Sequence, residues 1–336
     1  MLLITDERFI EHNPGTHHPE RPDRLRAALE GVSAAGIDDS IEPVAPRAAT
    51  RADLARVHDA AVIDLIEAMD TAGGGRIDAD TRMSEGSLEA GRYAAGAVLT
   101  AVETMQAGDE TTAYCVVRPP GHHATAEQSM GFCLFNSVAV AASQLSSAGD
   151  RIAVVDIDAH HGNGTQDIFY DDPMVLYASI HQSPLYPGTG ALTERGVGPG
   201  AGTTFNMPLP AGATGDVALA ALDEVIIPAI ERFEPTWMII SAGYDGHRAD
   251  PLTDLGYSAG DYADMVARLA PLGSSGRAVV VLEGGYDLDA VRDCSAAVAA
   301  TLVGESHRPE AATSGGPGIE VVASAARLFA EPPAPG

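Results

Sequence analysis

The sequence predicts an α/β domain: a mostly parallel sheet covered by helices on both faces, one three-layer unit. Three observations carry this. Short, near-continuous apolar runs rich in β-branched residues recur along the chain. Alanine-rich stretches of helical length separate them. Four of the runs are followed directly by clusters of His, Asp, Gly and Pro. Apolar runs without polar alternation suit strands buried on both faces, and their alternation with helices suits a parallel sheet.

Taken in order, a strand over 2–5 is followed by helices over 21–35, 51–69 and 84–106. The triplet Gly73-Gly74-Gly75 between the last two reads as a plain connection, because no strand–helix pattern or lysine accompanies it. A strand over 113–117 (Ala-Tyr-Cys-Val-Val) precedes a helix over 134–147, and strands over 152–156 (Ile-Ala-Val-Val-Asp) and 174–179 follow. A helix over 216–232 leads to a strand over 237–241 (Trp-Met-Ile-Ile-Ser), and one over 258–272 leads to a strand over 278–282 (Ala-Val-Val-Val-Leu). A helix over 287–303, a loop over 305–318 rich in Pro, Gly, Ala and Ser, and a short helix over 319–330 complete the pattern. There is no internal repeat and no sign of a second domain. One domain over 1–330 is expected, with 331–336 a tail.

Composition narrows the chemistry. The net charge is −27, and all 20 basic residues are arginine. Without lysine there is no Schiff base, no P-loop phosphate grip and no lysine general base. So acidic a chain, with no cluster of arginines, is repelled by nucleic acid. The charge serves solubility or adaptation to environment, and it also suits a cationic substrate. Cys115, Cys133 and Cys294 lack paired spacing, which argues against a disulfide framework or a zinc knuckle. No apolar segment reaches signal-peptide or membrane-spanning length, so a cytoplasmic enzyme is expected.

The polar clusters are Arg118-Pro119-Pro120-Gly121-His122-His123, Ile157-Asp158-Ala159-His160-His161-Gly162-Asn163-Gly164, Ala242-Gly243-Tyr244-Asp245-Gly246-His247 and Glu283-Gly284-Gly285-Tyr286-Asp287. In a parallel sheet the carboxyl ends of the strands share one edge, where ligand sites form. Asp158, His160 and Asp245 make a metal site there: the first two, two residues apart in extended chain, point the same way, and one imidazole with two carboxylates leaves room for water on a catalytic zinc. His122 and His123 offer a general base and acid. Tyr286, on a Gly-Gly turn, can donate to an oxyanion. Asp156 and Asn163 are available partners for the imidazoles.

These residues resemble the zinc-dependent histone deacetylases, and more closely the class II and bacterial histone-deacetylase-like amidohydrolases. The matching stretches are Arg118–Ala124, Gly131–Asn136, Asp156–Thr165, Tyr186–Gly190, Ser241–Asp245 with Asp250-Pro251-Leu252, and Leu282–Tyr286, together with the opening His18-Pro19-Glu20-Arg21-Pro22. They run in order over roughly residues 12 to 300. The resemblance implies the arginase–deacetylase fold, a single domain around an eight-stranded sheet. It implies zinc on Asp158, His160 and Asp245, His123 as base and then acid, His122 as electrostatic partner, and Tyr286 on the carbonyl oxygen. Asn163 stands where class I members carry aspartate. Asp156 and Ser179, with nearby backbone carbonyls, match a potassium site. Gly131, Phe132 and Tyr186 match the walls of an acyl-lysine tunnel. Arginase itself fits poorly, since the carboxylates for a second metal are missing.

The activity so implied is removal of acetyl or another short acyl group from acyl-lysine side chains of a peptide or protein. An acetylpolyamine amidohydrolase is the alternative. Some polyamine deacylases carry a rim glutamate seven residues after the zinc aspartate, where this chain has Leu252. Others use acids of an extended loop, for which Asp80, Glu85 and Glu89 are candidates. A non-catalytic acyl-lysine binding module is a third reading, disfavoured by the intact His122–His123–Tyr286 set. Partners are thus an acylated lysine chain or polyamine, with no nucleic acid or membrane; self-association is left open. His12, His17 and His18 suit either the rim or support of the N-terminal loop, without a catalytic role, and Cys133 suits core packing.

Overall fold

The computed structural model describes residues 1–330; the segment 331–336, expected to be a tail, lies outside the described residues. Strand β1 (Leu2–Ile4) is followed by α1 (Asp23–Ala34), β2 (Glu42–Val44), α2 (Arg51–Leu54) and α3 (Ala60–Thr71). A small antiparallel hairpin of β3 (Gly75–Arg76) and β4 (Arg82–Met83) precedes α4 (Ser87–Ala107). Then come β5 (Thr112–Cys115), α5 (Ser137–Ser147), β6 (Ile152–Asp156), α6 (Asn163–Phe169), β7 (Val175–Gln182) and β8 (Thr204–Leu209). Helices α7 (Gly215–Ala221) and α8 (Ile227–Phe233) flank a π-helical turn and lead to β9 (Trp237–Ala242); α9 (Ala259–Leu269), β10 (Ala278–Leu282), α10 (Leu288–Leu302) and α11 (Ile319–Ala330) complete the chain.

Eight strands form one sheet in the order β2-β1-β5-β10-β9-β6-β7-β8, and every pair is parallel. The middle strands β6, β9 and β10 are buried along their whole length, because helices cover both faces. One row runs α1, α10, α9, α7, α11, and the other α3, α4, α5, α6. The expected layered architecture is therefore present, with all six expected strands. The resemblance's count of eight is met by β2 and β8, which the apolar pattern missed. Both lie at sheet edges and contain proline, Pro43 and Pro208, which an edge tolerates because no ladder bond is needed on its open side.

Two helices depart from expectation. The run over 216–232 is continuous but widens into a π turn at Leu222–Ile226; Pro228 has no N–H to return to Glu224, so the regular ladder cannot close there. The run over 51–69 breaks into α2 and α3. Thr50 and Asp53 form a capping box that starts α2, and the chain then turns at His58. The buried His58 ring accepts the Asn136 N–H at Nε2 (2.9 Å) and donates from Nδ1 to the Thr125 carbonyl (2.8 Å), while the Asp59 N–H goes to the Ala126 carbonyl. These bonds tie the break to the loop after β5. Among the described residues no helix is long and apolar enough to cross a membrane.

Burial, only partly offset by the Thr125 carbonyl, pushes the His58 imidazole down to about 4. As pH falls the unfolded chain therefore takes up this proton first. The contribution is fully present above about pH 6.5 and is lost as pH drops toward 4, a difference of about 3 kcal/mol for this one group. Urea unfolding of the parent and His58→Gln across that window is expected to show a flatter pH dependence in the variant; equal slopes would count against a neutral buried His58.

Candidate functional site

The strands that carry the four polar clusters are neighbours, β5-β10-β9-β6. Asp156 at the end of β6 is in register with Ser241 of β9 and Ser179 of β7, so the loops after these strands open at one level into one crevice.

The ligand atoms of Asp158, His160 and Asp245 lie within 4.8 Å of one another. His160 Nδ1 is 3.2 Å from Asp158 Oδ1 and 2.9 Å from Asp245 Oδ2. Backbone donors aim the carboxylates: the His160 and Gly284 N–H groups go to Asp158, and the Ala159 N–H goes to Asp245. Gly243 and Gly284 are required here, because a Cβ on either would overlap the Asp158 carboxylate, and at 284 also that of Asp245. Burial opposes a charged His160, but Asp245 and Asp158 outweigh it and push the imidazole up to about 10. Two buried carboxylates around one imidazole thus demand a positive charge, and a divalent cation in place of that proton satisfies the demand. The donor set fits zinc: one nitrogen and two oxygens, with one side open.

His122 and His123 lie 4.0 Å apart between ring centroids, their planes tilted by 42°, yet have opposite electrostatics. His122 Nδ1 is 2.9 Å from Asp156 Oδ2. Burial works against its charge, but Asp158 and Asp156 prevail and hold it well above the usual imidazole range. His123 donates from Nδ1 to Asn163 Oδ1 at 2.8 Å, which leaves Nε2 with its lone pair. Burial and the charges of His122 and His160 hold His123 well below the usual range. The two neighbouring imidazoles are thus shifted in opposite directions.

Tyr286 closes the crevice from the loop after β10. Burial and then Asp245 hold its phenol well above its ordinary range, so the hydroxyl is a donor. A cavity of about 220 Å³ is lined by His123, His160, Tyr286, Gly131, Phe132, Tyr186, Leu252, Leu185 and Asp80. Phe132 meets Tyr286 edge-on at 5.8 Å and Tyr186 meets His123 edge-on at 5.1 Å. Gly131 (φ 57°) and Phe132 (φ 67°) are both left-handed; a Cβ at 131 would strike the His123 ring. Tyr186 and Leu252 are more than a third exposed and form the mouth.

Residues 18–302 match the family model of the histone deacetylase domain. The chain belongs to the histone deacetylase family. It is 39% identical over 293 residues to a probable deacetylase of Archaeoglobus fulgidus, covering 85% of this chain and 81% of that one. It is 36% identical over 302 residues to the histone deacetylase-like amidohydrolase of Pseudomonas aeruginosa, covering 88% and 80%. The crystal structure of the HDA15 HD domain superposes with a TM-score of 0.90 at 35% identity, covering 98% of this chain and 93% of that one. The histone deacetylase fold and a deacetylase-type hydrolase follow.

Of the anticipated residues, the structure gathers Asp156, Asp158, His160, Asn163, Asp245, His122, His123 and Tyr286 at one place, with Gly131, Phe132, Tyr186 and Leu252 around the cavity. Ser179 lies in register with Asp156 one strand over. Of the three candidate loop acids only Asp80 reaches the cavity; Glu85 and Glu89 line a separate surface depression with Glu11 and Arg92. His18 braces the rim, its Nε2 3.0 Å from the Asp80 carbonyl and its ring edge-on to Phe132. His12 is instead buried against Ser87 and Glu20.

Sequence reasoning missed the supports. Buried Glu20 accepts from Arg118 and Arg24. Burial alone would raise its carboxyl, but Arg118, His12 and Arg24 hold it well below the usual range. Buried Glu283 accepts the Gly121 and His122 N–H groups at 2.6 and 3.2 Å; burial, opposed by His122, pushes its carboxyl up to about 7. Glu20, Arg118 and Glu283 all lie in stretches that carried the resemblance, but their roles depend on long-range partners that no local pattern reveals.

Removing one ligand should release the metal while the fold survives. Asp245→Ala is expected to lose most bound zinc by elemental analysis of purified protein, with a circular dichroism spectrum like the parent's; full zinc occupancy would refute Asp245 as a ligand.

Proposed function

We propose that this chain is a zinc-dependent amidohydrolase that removes acetyl or a related short acyl group from an acyl-lysine side chain. The observation that carries the proposal is the adjacent pair His122, held by Asp156, and His123, held by Asn163, with His123 lining a cavity that it shares with His160 and Tyr286. A binding module needs neither proton carrier.

Zinc held by Asp158, His160 and Asp245 would supply Lewis acidity to the amide carbonyl and to the attacking water. Around it, His123 Nε2 takes the proton of the water that attacks the amide carbon. Asn163 keeps the ring in the tautomer this requires. The Tyr286 hydroxyl donates to the carbonyl oxygen as it gains negative charge. His122, paired with Asp156, adds a fixed positive charge beside that developing anion. His123 then returns its proton to the amine as the C–N bond breaks. Phe132 and Tyr186 enclose the methylene chain of the substrate and exclude water.

A potassium ion on Asp156 and Ser179 is compatible with the hydrogen bonds there. The Gly190 carbonyl can only accept, so His181 Nε2 is the protonated nitrogen and Nδ1 accepts from Ser179 Oγ (2.9 Å). The hydroxyl's lone pairs are left for a cation.

Asp80 at the cavity favours one second reading, an acetylated polyamine whose distant ammonium meets that carboxylate. Leu252, an apolar residue on the rim, favours a lysine side chain carried by a peptide. Parallel assays of an acetyl-lysine peptide and an acetylated polyamine, with and without chelator, are expected to show chelator-sensitive turnover favouring the peptide. Preference for the polyamine would reverse the assignment, and tight peptide binding without turnover of either would indicate a binder. Tyr286→Phe is expected to lower kcat by roughly 100- to 1,000-fold with zinc retained; near-parental turnover would refute the oxyanion role.

A further inference from the structure

The loop that supplies Asp245 also holds the main chain of Tyr286. Asp250, 7% exposed, lies five residues after Asp245 on the segment leaving β9. Its own N–H bonds the His247 carbonyl at 2.8 Å, and the Thr253 hydroxyl bonds the Asp245 carbonyl, so the segment is folded back on the ligand. Asp250 Oδ2 accepts the Tyr286 N–H at 2.6 Å and the Asp287 N–H at 3.3 Å, while Oδ1 accepts the Leu252 N–H at 2.9 Å. One carboxylate thus joins the ligand loop, the rim residue Leu252 and the Tyr286 loop.

The bond to Tyr286 has a counterpart on the same peptide unit. The carbonyl of the Gly285–Tyr286 peptide accepts from Arg24 Nε, and Arg24 is itself fully buried with its guanidinium 5.0 Å from the Tyr286 ring. A buried carboxyl group therefore grips one end of this peptide and a guanidinium the other. Gly285 has φ 111°, in the left-handed region, so the turn does not fix the peptide plane by steric restriction alone. The two side-chain contacts do.

We propose that Asp250 is the positioning residue for Tyr286, setting the direction of its hydroxyl relative to the ligand loop. The proposal rests on the oxyanion role of Tyr286. Asp250 touches neither substrate nor metal; it acts through the Tyr286 backbone. A hydroxyl displaced by a fraction of an ångström loses transition-state stabilisation and leaves substrate binding nearly intact.

A double-mutant cycle tests this. Asparagine at 250 is isosteric but offers one oxygen and an NH₂ group, so one of the backbone N–H groups loses its acceptor. In the otherwise native enzyme Asp250→Asn is expected to lower kcat by roughly 10- to 100-fold, with KM within about threefold and zinc content unchanged. In a Tyr286→Phe background, with no hydroxyl left to aim, the same substitution is expected to change kcat by no more than about twofold. Equal losses in both backgrounds overturn the proposal, as does loss of zinc or a rise in KM matching the fall in kcat. Near-parental turnover by Tyr286→Phe alone overturns instead the oxyanion reading beneath it. Asp250→Ser, small enough to admit a bridging water, is read in the same cycle and keeps the test decisive should the asparagine variant not fold.

Discussion

Two carboxylates buried around one imidazole cannot stay there without a positive charge, and much of the site answers that constraint. Asp158 and Asp245 sit at the ends of adjacent strands with backbone N–H groups aimed at them, and glycines at 243 and 284 leave the space the carboxylates occupy. The surplus of negative charge reaches outward. Asp158 and Asp156 raise His122 against its burial, while burial and then the charge of His122 lower its neighbour His123. The opposite shifts of the two histidines thus trace in part to how many acids the strand ends bring together.

A second ionic network fixes the first. Glu20, just before α1, binds Arg118 before the histidine pair and Arg24 on α1, and Arg24 reaches the carbonyls of Glu283 and Gly285. The N-terminal segment is thereby fastened to two of the four site loops through fully buried charges. Breaking such a network by removing one partner is costly, because the others remain buried and unpaired. Its worth lies in geometry more than in stability: rigid, charged links between segments far apart in sequence hold the loops at fixed separation.

The fold and the clustering of Asp158, His160 and Asp245 were legible in the residues because each is written locally. Val-Val-Val and Ile-Ala-Val-Val announce buried parallel strands, and Asp-Ala-His after one of them announces ligands on one side of an extended chain. The edge strands β2 and β8 were not, since these proline-containing strands lack the apolar run that marks a central one. The break at His58 was hidden in a helical pattern and appears only once Thr125 and Asn136 arrive from elsewhere. Asp250 and Glu283 were unreadable for the same reason: each works by accepting backbone N–H groups, and any residue can offer those.

The walls of the cavity have a gradient of tolerance built into them. At its floor, Gly243, Gly284 and Gly131 are pressed against the groups they face, so even a methyl group has nowhere to go. At its mouth, Leu252 and Tyr186 project into solvent. A substitution at the rim therefore has room to be accommodated, whereas one at these glycines displaces the groups packed against them.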